Sequence, residues 1–277
     1  MIVEPAPAKL NLALHVRRRR PDGYHDIETL FAFCRDGDLI ELERADANRF
    51  AIAGPFAAAL AGEGGWADNL VTRAADAFTA AFAAGARHAI TLTKNLPIAS
   101  GIGGGSADAA ATLRALARLH GVAADDPRLQ AIAGGLGADV PACLLGRTAS
   151  GEGRGDALSP LDGLPSTPVL LVNPGVPVST AAVFAAWDGV DRGPIPPGEL
   201  LARARAGRND LEPPARALAP AIDEALAFLA ARPGVLLSRM SGSGATCFAL
   251  FEDVARCTAA RTAAEACGWW SLGTALA

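Results

Sequence analysis

Apolar residues recur along the chain with two spacings, one typical of strands and one typical of helices. In residues 9–16 every even position is leucine or valine, which predicts a half-buried strand with one face in the core. Similar patterns predict strands at 38–44, 49–54, 88–94, 168–173, 234–240 and 246–251, and a closing strand near the C-terminus. Helical spacing predicts helices at 68–85, 106–120, 179–187, 220–232 and 253–267, with another beginning near 126. Strands and helices are mixed in both halves, which indicates an α+β protein.

Residues with known end preferences mark the limits of three of these helices. Asp68 is expected to cap the first helix and Gly85 to end it. The helix that starts at Ser106 is expected to end at Gly121, and Pro127 suits the first helical position of the next one. These ends separate the helices from the strands that follow them.

The length of the chain and a change in composition indicate two domains. A chain of 277 residues is long enough for one large domain or two ordinary ones. After residue 150 comes a loop rich in glycine, proline and serine. We therefore predict domains at 1–150 and 151–277.

Charge argues against a nucleic-acid partner. The formal net charge of −4 disfavours a nucleic-acid-binding surface spread over the whole protein. Hydrophobic residues make up 51% of the chain, which predicts a sizeable core. Four arginines at 17–20 form the only concentrated basic run, and they adjoin the turn predicted for RPDGYH at 20–25. We interpret this run as a solvated hairpin, with a nucleic-acid-binding or localisation segment as the less favoured alternative.

Several features predict a soluble, cytoplasmic protein with no membrane partner. The five cysteines are odd in number and lack Cys-x-x-Cys spacing, which favours reduced, buried thiols. The first ten residues, MIVEPAPAKL, have neither the basic start nor the apolar run of a signal peptide. The longest uncharged stretch, 163–187, contains four prolines that would break a spanning helix. The oligomeric state is left open.

A glycine-rich segment, NLPIASGIGGGSADAAATLRAL at 95–116, carries the main chemical signal. Four glycines between 101 and 105 precede Ser106 and an alanine-rich helical pattern. The dinucleotide fingerprint would need glycine at 106, and a Walker A loop would need a lysine after Gly105, so neither motif is present. Bare backbone at a helix N-terminus nevertheless favours a bound phosphate. The alternative is a tight turn in which Ser106 merely caps the helix.

Three motifs together resemble the GHMP kinase superfamily. LPIASGIGGGSADAA (96–110) is similar to its central motif, PAKLNLALHV (7–16) to its N-terminal motif and SGSGAT (241–246) to its third motif. The resemblance implies a two-domain α+β fold, with an N-terminal ribosomal-protein-S5-like domain and a C-terminal α/β-sandwich domain. It also implies a small-molecule kinase that uses ATP as co-substrate, with Mg²⁺.

Longer segments narrow the resemblance within that superfamily. Residues 8–31, 137–146 and 173–184 resemble the members that act on 4-diphosphocytidyl-2-C-methyl-D-erythritol. This implies ATP-dependent phosphorylation of the 2-hydroxyl of that compound, giving the 2-phosphate and ADP, in non-mevalonate isoprenoid precursor biosynthesis.

The resemblance assigns Asp139 and Lys9 as the catalytic residues. A carboxylate can accept the proton of the acceptor hydroxyl during phosphoryl transfer, and a nearby ammonium keeps the carboxylate ionised and stabilises negative charge. From the sequence alone, Asp139 could equally be a helix cap or turn residue, and Lys9 an ordinary surface lysine.

The resemblance also assigns five residues to the acceptor. Asn11 would orient the polyol, or else it is an edge-strand residue in contact with solvent. Tyr24 and His25 would recognise cytosine, with Phe184 as the opposite aromatic face, since stacking on a base contributes about 1–3 kcal/mol. Thr180 would contact polyol or phosphate, or else cap a helix in competition with Ser179.

ATP is assigned to two segments. The resemblance implies nucleoside contacts from the helix start at 67–75 and phosphate contacts from the central motif; these residues are Asp68, Asn69, Leu70, Pro97, Gly101, Ile102, Gly103, Gly104, Gly105, Ser106 and Ala107. The third motif, 241–246, is expected to close on the phosphate region through its backbone, unless it is a flexible hairpin loop. No metal ligands are identified.

Two residues depart from the usual Gly-Gly-Gly-Ser-Ser-Asn pattern of the central motif. Ala107 removes a hydroxyl, and Asp108 adds a carboxylate one turn from the proposed phosphates, which would repel ATP unless Mg²⁺ or a basic residue intervenes. Two alternative functions therefore stay open: another GHMP-type small-molecule kinase, or a non-catalytic nucleotide-binding module.

Overall fold

The computed structural model describes residues 1–60, 62, 66 and 69–277, which form two compact units. The first unit contains residues 1–8, 36–98 and 103–146, and the second contains residues 9–35, 99–102 and 147–277. The domain limits predicted from composition, 1–150 and 151–277, stay a prediction.

The strands and helices have the following limits. The strands are β1 (Ile2–Arg19), β2 (His25–Arg44), β3 (Arg49–Ala53), β4 (His88–Thr93), β5 (Ala149–Glu152), β6 (Ala157–Pro160), β7 (Pro168–Asn173), β8 (Val235–Met240), β9 (Cys247–Phe251) and β10 (Trp270–Ala275). The helices are α1 (Leu70–Phe82), α2 (Gly104–His120), α3 (Pro127–Leu136), α4 (Val140–Leu145), α5 (Thr180–Ala185), α6 (Leu200–Ala206), α7 (Glu212–Leu218), α8 (Ala221–Ala230) and α9 (Val254–Ala266), with a 3₁₀ turn at Ala57–Leu60.

In the first unit, helices pack around α2 beside a small sheet. The end of β2, from Leu39, pairs antiparallel with β4, and β4 pairs parallel with β3. Helices α1, α3 and α4 contact α2. Many of the buried residues of α2 are alanines, and small side chains allow neighbouring helices to approach closely. The alanine-rich run that follows the glycine loop is therefore part of the buried core of this unit.

In the second unit, the main sheet has the strand order β10-β7-β9-β8, and all its pairs are antiparallel. Every residue of β7 and β9 is buried, and α8 and α9 pack against this sheet. The first part of β2 pairs with β5, and β5 pairs with β6. The hairpin between β1 and β2 turns at 20–25, as predicted, with Arg20 N–H donating to the Tyr24 carbonyl.

Strand β1 differs from its prediction because both of its faces are buried. Residues 8–16 are all buried, so the half-buried strand predicted for 9–16 is wrong. Polar residues on the second face are hydrogen-bonded inside the protein: Lys9 to Asn11, and His15 to the carbonyl of Gly193. The alternating pattern thus indicates which residues are polar but not which are exposed. Here the polar side chains are hydrogen-bonded inside the protein.

Helix ends were predicted with mixed success. Helix α1 begins after Asn69, whose side chain accepts the Val71 N–H, and it ends at Phe82, so the predicted ends at Asp68 and Gly85 are wrong; Asp68 itself lies outside the described residues. Pro127 does begin α3, with Asp126 as its cap. The loop predicted after 150 contains strands β5 and β6.

The structure bears on two predictions, one about the cysteines and one about membrane-spanning helices. No disulfide joins the five cysteines, and four of them are buried, but Cys267 is exposed, so burial of all five is wrong. Across the described parts of the chain, no helix combines the length and the apolar character needed to cross a membrane.

Candidate active site

Three sequence motifs meet at one serine in the second unit. The Ser241 hydroxyl accepts the backbone N–H of Asn11 at 3.2 Å and donates to the carbonyl of Gly101 at 3.0 Å. The backbone N–H of Lys9 donates to the carbonyl of Ile102 at 2.9 Å. Strand β1, the start of the glycine loop and the loop between β8 and β9 are therefore joined directly, although more than 200 residues separate Asn11 from Ser241.

A chain of buried hydrogen bonds fixes the Lys9 side chain. Its ammonium donates to Asn11 Oδ1 at 2.9 Å, and Asn11 Nδ2 donates to the Thr29 hydroxyl at 2.8 Å. That hydroxyl donates in turn to the Ala13 carbonyl. Asn11 is 1% exposed, so its interpretation as a solvent-contacting edge residue is wrong, and Lys9 is no surface lysine at 3% exposure. Holding a buried ammonium requires such partners.

Gly101 lacks a side chain because the third motif lies against it. A Cβ on Gly101 would come within 2.3 Å of the Ser241 carbonyl oxygen, and φ at Gly101 is +77°. In the reverse direction, a Cβ on Gly242 would come within 2.7 Å of the Gly101 carbonyl oxygen. Glycine at this end of the loop allows the backbones of the two motifs to pack directly against each other.

The other end of the loop forms an uncapped helix terminus in the first unit. Helix α2 starts at Gly104, two residues before the predicted start, and its cap Gly103 has φ +67° and no side-chain capping bond. Ser106 therefore lies inside the helix, so its role as the cap is wrong. The first intrahelical bond runs from Ala107 N–H to Gly103, which leaves the earlier amide groups of the helix available to an anion. Gly105 is exposed there.

The side chains of the remaining loop residues contribute little to that terminus. Ile102 and Ala107 are buried, so any contact with a ligand would come from their backbone. Leu70, at the start of α1, lies 3.5 Å from the position a Cβ on Gly105 would take. The predicted nucleoside segment and the glycine loop are thus neighbours within this unit.

Replacing Gly101 by alanine tests the close packing at that position. We expect Gly101→Ala to unfold at lower denaturant concentration and to lose ATP-dependent activity, because the Cβ would displace the 241–246 loop. Gly121→Ala is the matched control, since Gly121 has a similar φ of +69° with open space around its Cβ position. The control should lose only about 1–2 kcal/mol, the cost of a left-handed backbone at a residue with a Cβ, and keep its activity. Equal losses in the two variants, measured by urea unfolding, would contradict this explanation.

A buried charge cluster lies beneath the first turn of α2. The Lys94 ammonium contacts Asp38 at 2.5 Å and Asp108 at 2.7 Å. It lies 2.9 Å from the position of a Cβ on Gly104, so glycine at 104 leaves room for this lysine. The expected repulsion between the Asp108 carboxylate and ATP is opposed by the Lys94 ammonium, which contacts that carboxylate.

The two carboxyl groups of this cluster differ in their surroundings. Asp38 also accepts the backbone N–H groups of Asn95 and Leu96. Asp108 Oδ1 is buried and has no hydrogen-bond partner among the described residues. Burial raises the pKa of the Asp108 carboxyl to about 7, against the opposing effect of the Lys94 ammonium. If the cluster takes up a proton, Asp108 receives it.

Sequence reasoning missed Lys94 and Asp38. One signal was present: Lys9 and Lys94 are the only lysines in a chain with 25 basic residues, and both are buried. A compact ammonium fits between two carboxylates where the larger, planar guanidinium of arginine would not. In a chain that otherwise uses arginine, each lysine marked a position with a specific requirement.

Asp139 stands immediately before α4 in the first unit. It occupies the capping position of that helix, but its side chain makes no capping hydrogen bond. The alternative interpretation of Asp139 as a helix cap therefore holds for its position but not for its side chain. Asp139 is partly exposed, in contrast to the buried Val140 and Pro141 that follow it.

Aromatic side chains gather where a base was predicted to bind. The rings of His25 and Phe184 lie 4.8 Å apart, and Trp187 meets His25 edge-on at 5.8 Å. Tyr24 is half exposed, and the guanidinium of Arg154 lies 5.1 Å from its ring. Burial, and secondly the charge of Arg19, lowers the pKa of His25. The site thus presents a neutral imidazole among aromatic rings.

Side chains of the third motif participate, which corrects the expectation of backbone contacts alone. Thr180 Oγ1 lies 2.8 Å from the Ser243 hydroxyl, in addition to the role of Ser241 described above. Ser179, whose hydroxyl accepts the Ala182 N–H, caps α5, so Thr180 does not. Residues 241–246 are all buried, and the flexible hairpin loop is therefore wrong.

The predicted nucleoside residues are only partly described. Asn69 is buried and caps α1 through its side chain, and Pro97 is also buried. Asp68 lies outside the described residues. Contacts of these residues with a nucleoside stay a prediction.

Comparison with known proteins gives the family. Residues 69–147 match the GHMP kinases N terminal domain, and residues 195–266 match the GHMP kinases C terminal domain. A protein named 4-diphosphocytidyl-2-C-methyl-D-erythritol kinase from Rhizorhabdus wittichii is 58% identical over 99% of this chain and 94% of its own length. A protein of the same name from Parvibaculum lavamentivorans is 48% identical over 97% of this chain and 96% of its own length.

A solved structure agrees with these relatives. The crystal structure of a 4-(cytidine 5'-diphospho)-2C-methyl-D-erythritol kinase matches with a TM-score of 0.81 and 37% identity, covering 99% of each chain. The α+β GHMP kinase fold predicted from the three motifs is confirmed. The chain belongs to the 4-diphosphocytidyl-2-C-methyl-D-erythritol kinase family of the GHMP kinases.

Proposed function

We propose that this protein transfers the γ-phosphoryl group of ATP to the 2-hydroxyl of 4-diphosphocytidyl-2-C-methyl-D-erythritol. The products are the 2-phosphate and ADP, and the step belongs to non-mevalonate isoprenoid precursor biosynthesis. The observation that carries the proposal is the direct hydrogen bonding of three distant motifs at Ser241. Full-length relatives named for this kinase activity support the choice of acceptor.

ATP is proposed to bind with its phosphates at the uncapped N-terminus of α2. The amide groups after Gly103 and the positive end of the helix dipole favour an anion there. Asn69 and Leu70 would line the nucleoside site, together with Asp68. Mg²⁺ belongs to the same proposal, and the described residues contain no cluster of three side chains suited to hold a metal ion. Such an ion would be held mainly by phosphate oxygens and water, as Mg²⁺ often is at nucleotide sites.

In the proposed transfer, the acceptor oxygen forms a bond to the γ-phosphorus while the bond to the ADP oxygen breaks. Asp139 accepts the proton of the acceptor hydroxyl, and Lys9 stabilises the negative charge that develops on the transferred group. Asn11 orients the polyol, and its bond to Lys9 holds the ammonium in position. The backbone of the glycine loop stabilises the leaving diphosphate.

The cytidyl group of the acceptor is proposed to bind at the aromatic side chains of the second unit. Phe184 and Tyr24 would stack on the cytosine, and His25 would read its polar edge. His25 Nε2 has no hydrogen-bond partner among the described residues, which supports this role. Thr180 would contact the polyol or a phosphate.

Two alternatives lose support. A non-catalytic nucleotide-binding module was based on Ala107 and Asp108, and the carboxylate of Asp108 is paired with Lys94. A nucleic-acid partner was already disfavoured, and each arginine from 17 to 20 has a hydrogen-bond partner within the protein. A cytoplasmic location remains part of the proposal and agrees with cysteines outside any disulfide.

A panel of acceptors tests the function. Purified protein with Mg-ATP should release ADP with 4-diphosphocytidyl-2-C-methyl-D-erythritol, and mass spectrometry should find one added phosphoryl group. Mevalonate, homoserine and 2-C-methyl-D-erythritol 4-phosphate should give at most background rates, because they lack the cytosine. A faster reaction with one of these three, unchanged in Tyr24→Ala, would identify a different GHMP-type kinase.

A further inference from the structure

The four arginines of the β1–β2 hairpin do not have equivalent partners. Three of them pair with carboxylates: Arg17 with Asp191, Arg18 with Asp26 and Arg20 with Asp22. Arg19 instead donates from Nη2 to two backbone carbonyls, Ala185 at 2.9 Å and Trp187 at 2.7 Å. The basic run that looked uniform in the sequence therefore contains one residue with a different role.

Ala185 is the last residue of α5, and Trp187 lies two residues beyond it. The last carbonyls of a helix lack intrahelical partners and carry partial negative charge, so a guanidinium is a favourable partner for them. Helix α5 carries Phe184 in its last turn, and the hairpin carries Tyr24 and His25. Arg19 is therefore a direct link between the two elements that supply the aromatic rings, which are more than 150 residues apart in sequence.

Two polar atoms beside this link are buried without a partner among the described residues. They are His25 Nε2 and Trp187 Nε1, and their rings touch edge-on. Buried polar groups in folded proteins nearly always have a hydrogen-bond partner, and these two have none among the described residues. The link from Arg19 thus ends on Trp187, one of the residues with an unsatisfied group.

We propose that Arg19 is a positioning residue for base recognition, holding the end of α5 so that Phe184 and His25 together accept an amino-substituted pyrimidine. This inference rests on the proposed function and adds to it the residue that sets the geometry of the base site. Arg19 acts through the backbone of Ala185 and Trp187 and makes no contact with the base itself.

The charge of Arg19 adds a second effect in the same direction. A neutral imidazole keeps one acceptor nitrogen for the exocyclic amino group of cytosine, whereas an imidazolium has only donors. Burial, and then the positive charge of Arg19, lowers the pKa of His25. The rings of Phe184 and Trp187 that face His25 are uncharged, and the carboxylate of the adjacent Asp26 is paired with Arg18 and Arg20.

The test compares Arg19→Met with Arg18→Met in steady-state kinetics. Arg18 is the matched control because it is the neighbouring arginine, is likewise exposed and pairs with Asp26. In Arg19→Met, we expect KM for 4-diphosphocytidyl-2-C-methyl-D-erythritol to rise about tenfold, the order expected for losing charge-assisted hydrogen bonds. The kcat and the KM for ATP should stay within about twofold, and Arg19→Lys should recover part of the loss.

A pH profile separates positioning from a general structural effect. In the wild-type protein, KM for the cytidyl acceptor should rise as pH falls and His25 becomes protonated. In Arg19→Met this rise should begin at higher pH, because the imidazolium is no longer disfavoured by the nearby charge. Arg18→Met should follow the wild-type profile.

The outcomes distinguish this inference from the proposed function. Equal KM values for Arg19→Met and Arg18→Met, with an active wild-type protein, would overturn the role of Arg19 alone. A parallel loss of kcat and of ATP affinity in Arg19→Met would also overturn it, since the residue would then be structural. Absence of turnover in the wild-type protein would overturn the proposed function, and this inference with it.

Discussion

Asp139→Asn is expected to reduce kcat by about 10²–10⁴-fold, the range that general acid–base catalysis contributes. An amide cannot accept the proton of the acceptor hydroxyl, but it occupies the same space as the carboxylate. KM for both substrates should change little, because the proposed role of Asp139 lies in the transfer step.

The experiment is a comparison of initial rates with Asp126→Asn as control. Asp126 stands before α3 as Asp139 stands before α4, and its side chain does cap its helix. The control should lose some stability and keep kcat. If Asp139→Asn keeps more than about a third of the wild-type kcat, Asp139 is not the base, because that residual rate lies far above the expected range.

Lys94→Met is expected to lower the free energy of unfolding by about 3–5 kcal/mol, the loss typical when one partner of a buried ion pair is removed. Methionine fills similar space but leaves Asp38 and Asp108 buried together without their cation. Both carboxylates are almost completely buried, so water cannot compensate for the lost ammonium. Urea unfolding at neutral pH measures the effect.

A double variant shows whether charge is the cause. Lys94→Met combined with Asp108→Asn removes one of the two stranded carboxylates, and it should be more stable than Lys94→Met alone. The Asp108 carboxyl is the better choice for removal because Asp38 also accepts two backbone N–H groups. A Lys94→Met protein within about 1 kcal/mol of the wild type would show that this cluster does not follow the usual cost of a broken buried pair.

Much of the local structure could be predicted from the sequence because it depends on nearby residues. Most strands and helices follow their apolar spacing, and Pro127 begins α3 as its fixed φ requires. Short elements were missed where the pattern was too brief to read, including β5, β6 and α4. The start of α1 was misplaced by one residue because Asn69, the residue after the predicted cap Asp68, supplies the capping oxygen.

The glycine loop shows the limit of this reasoning most directly. Its composition indicated close contact, and the sequence suggested phosphate as the reason for all four glycines. Gly101 instead accommodates Ser241, and Gly104 accommodates the Lys94 ammonium. Which neighbour a missing side chain makes room for depends on residues that are distant in sequence.

The sequence by itself determined the secondary structure pattern, the motifs and the family, because backbone preferences and chemically demanding residue types act at short range. Tertiary structure alone decided that Ser241 joins the three motifs, that Lys94 neutralises Asp108 and that Arg19 differs from its three neighbours. The reason is physical: burial and hydrogen bonding between remote segments determine whether a polar side chain meets solvent, a charge or a backbone carbonyl, and local sequence carries no record of that partner.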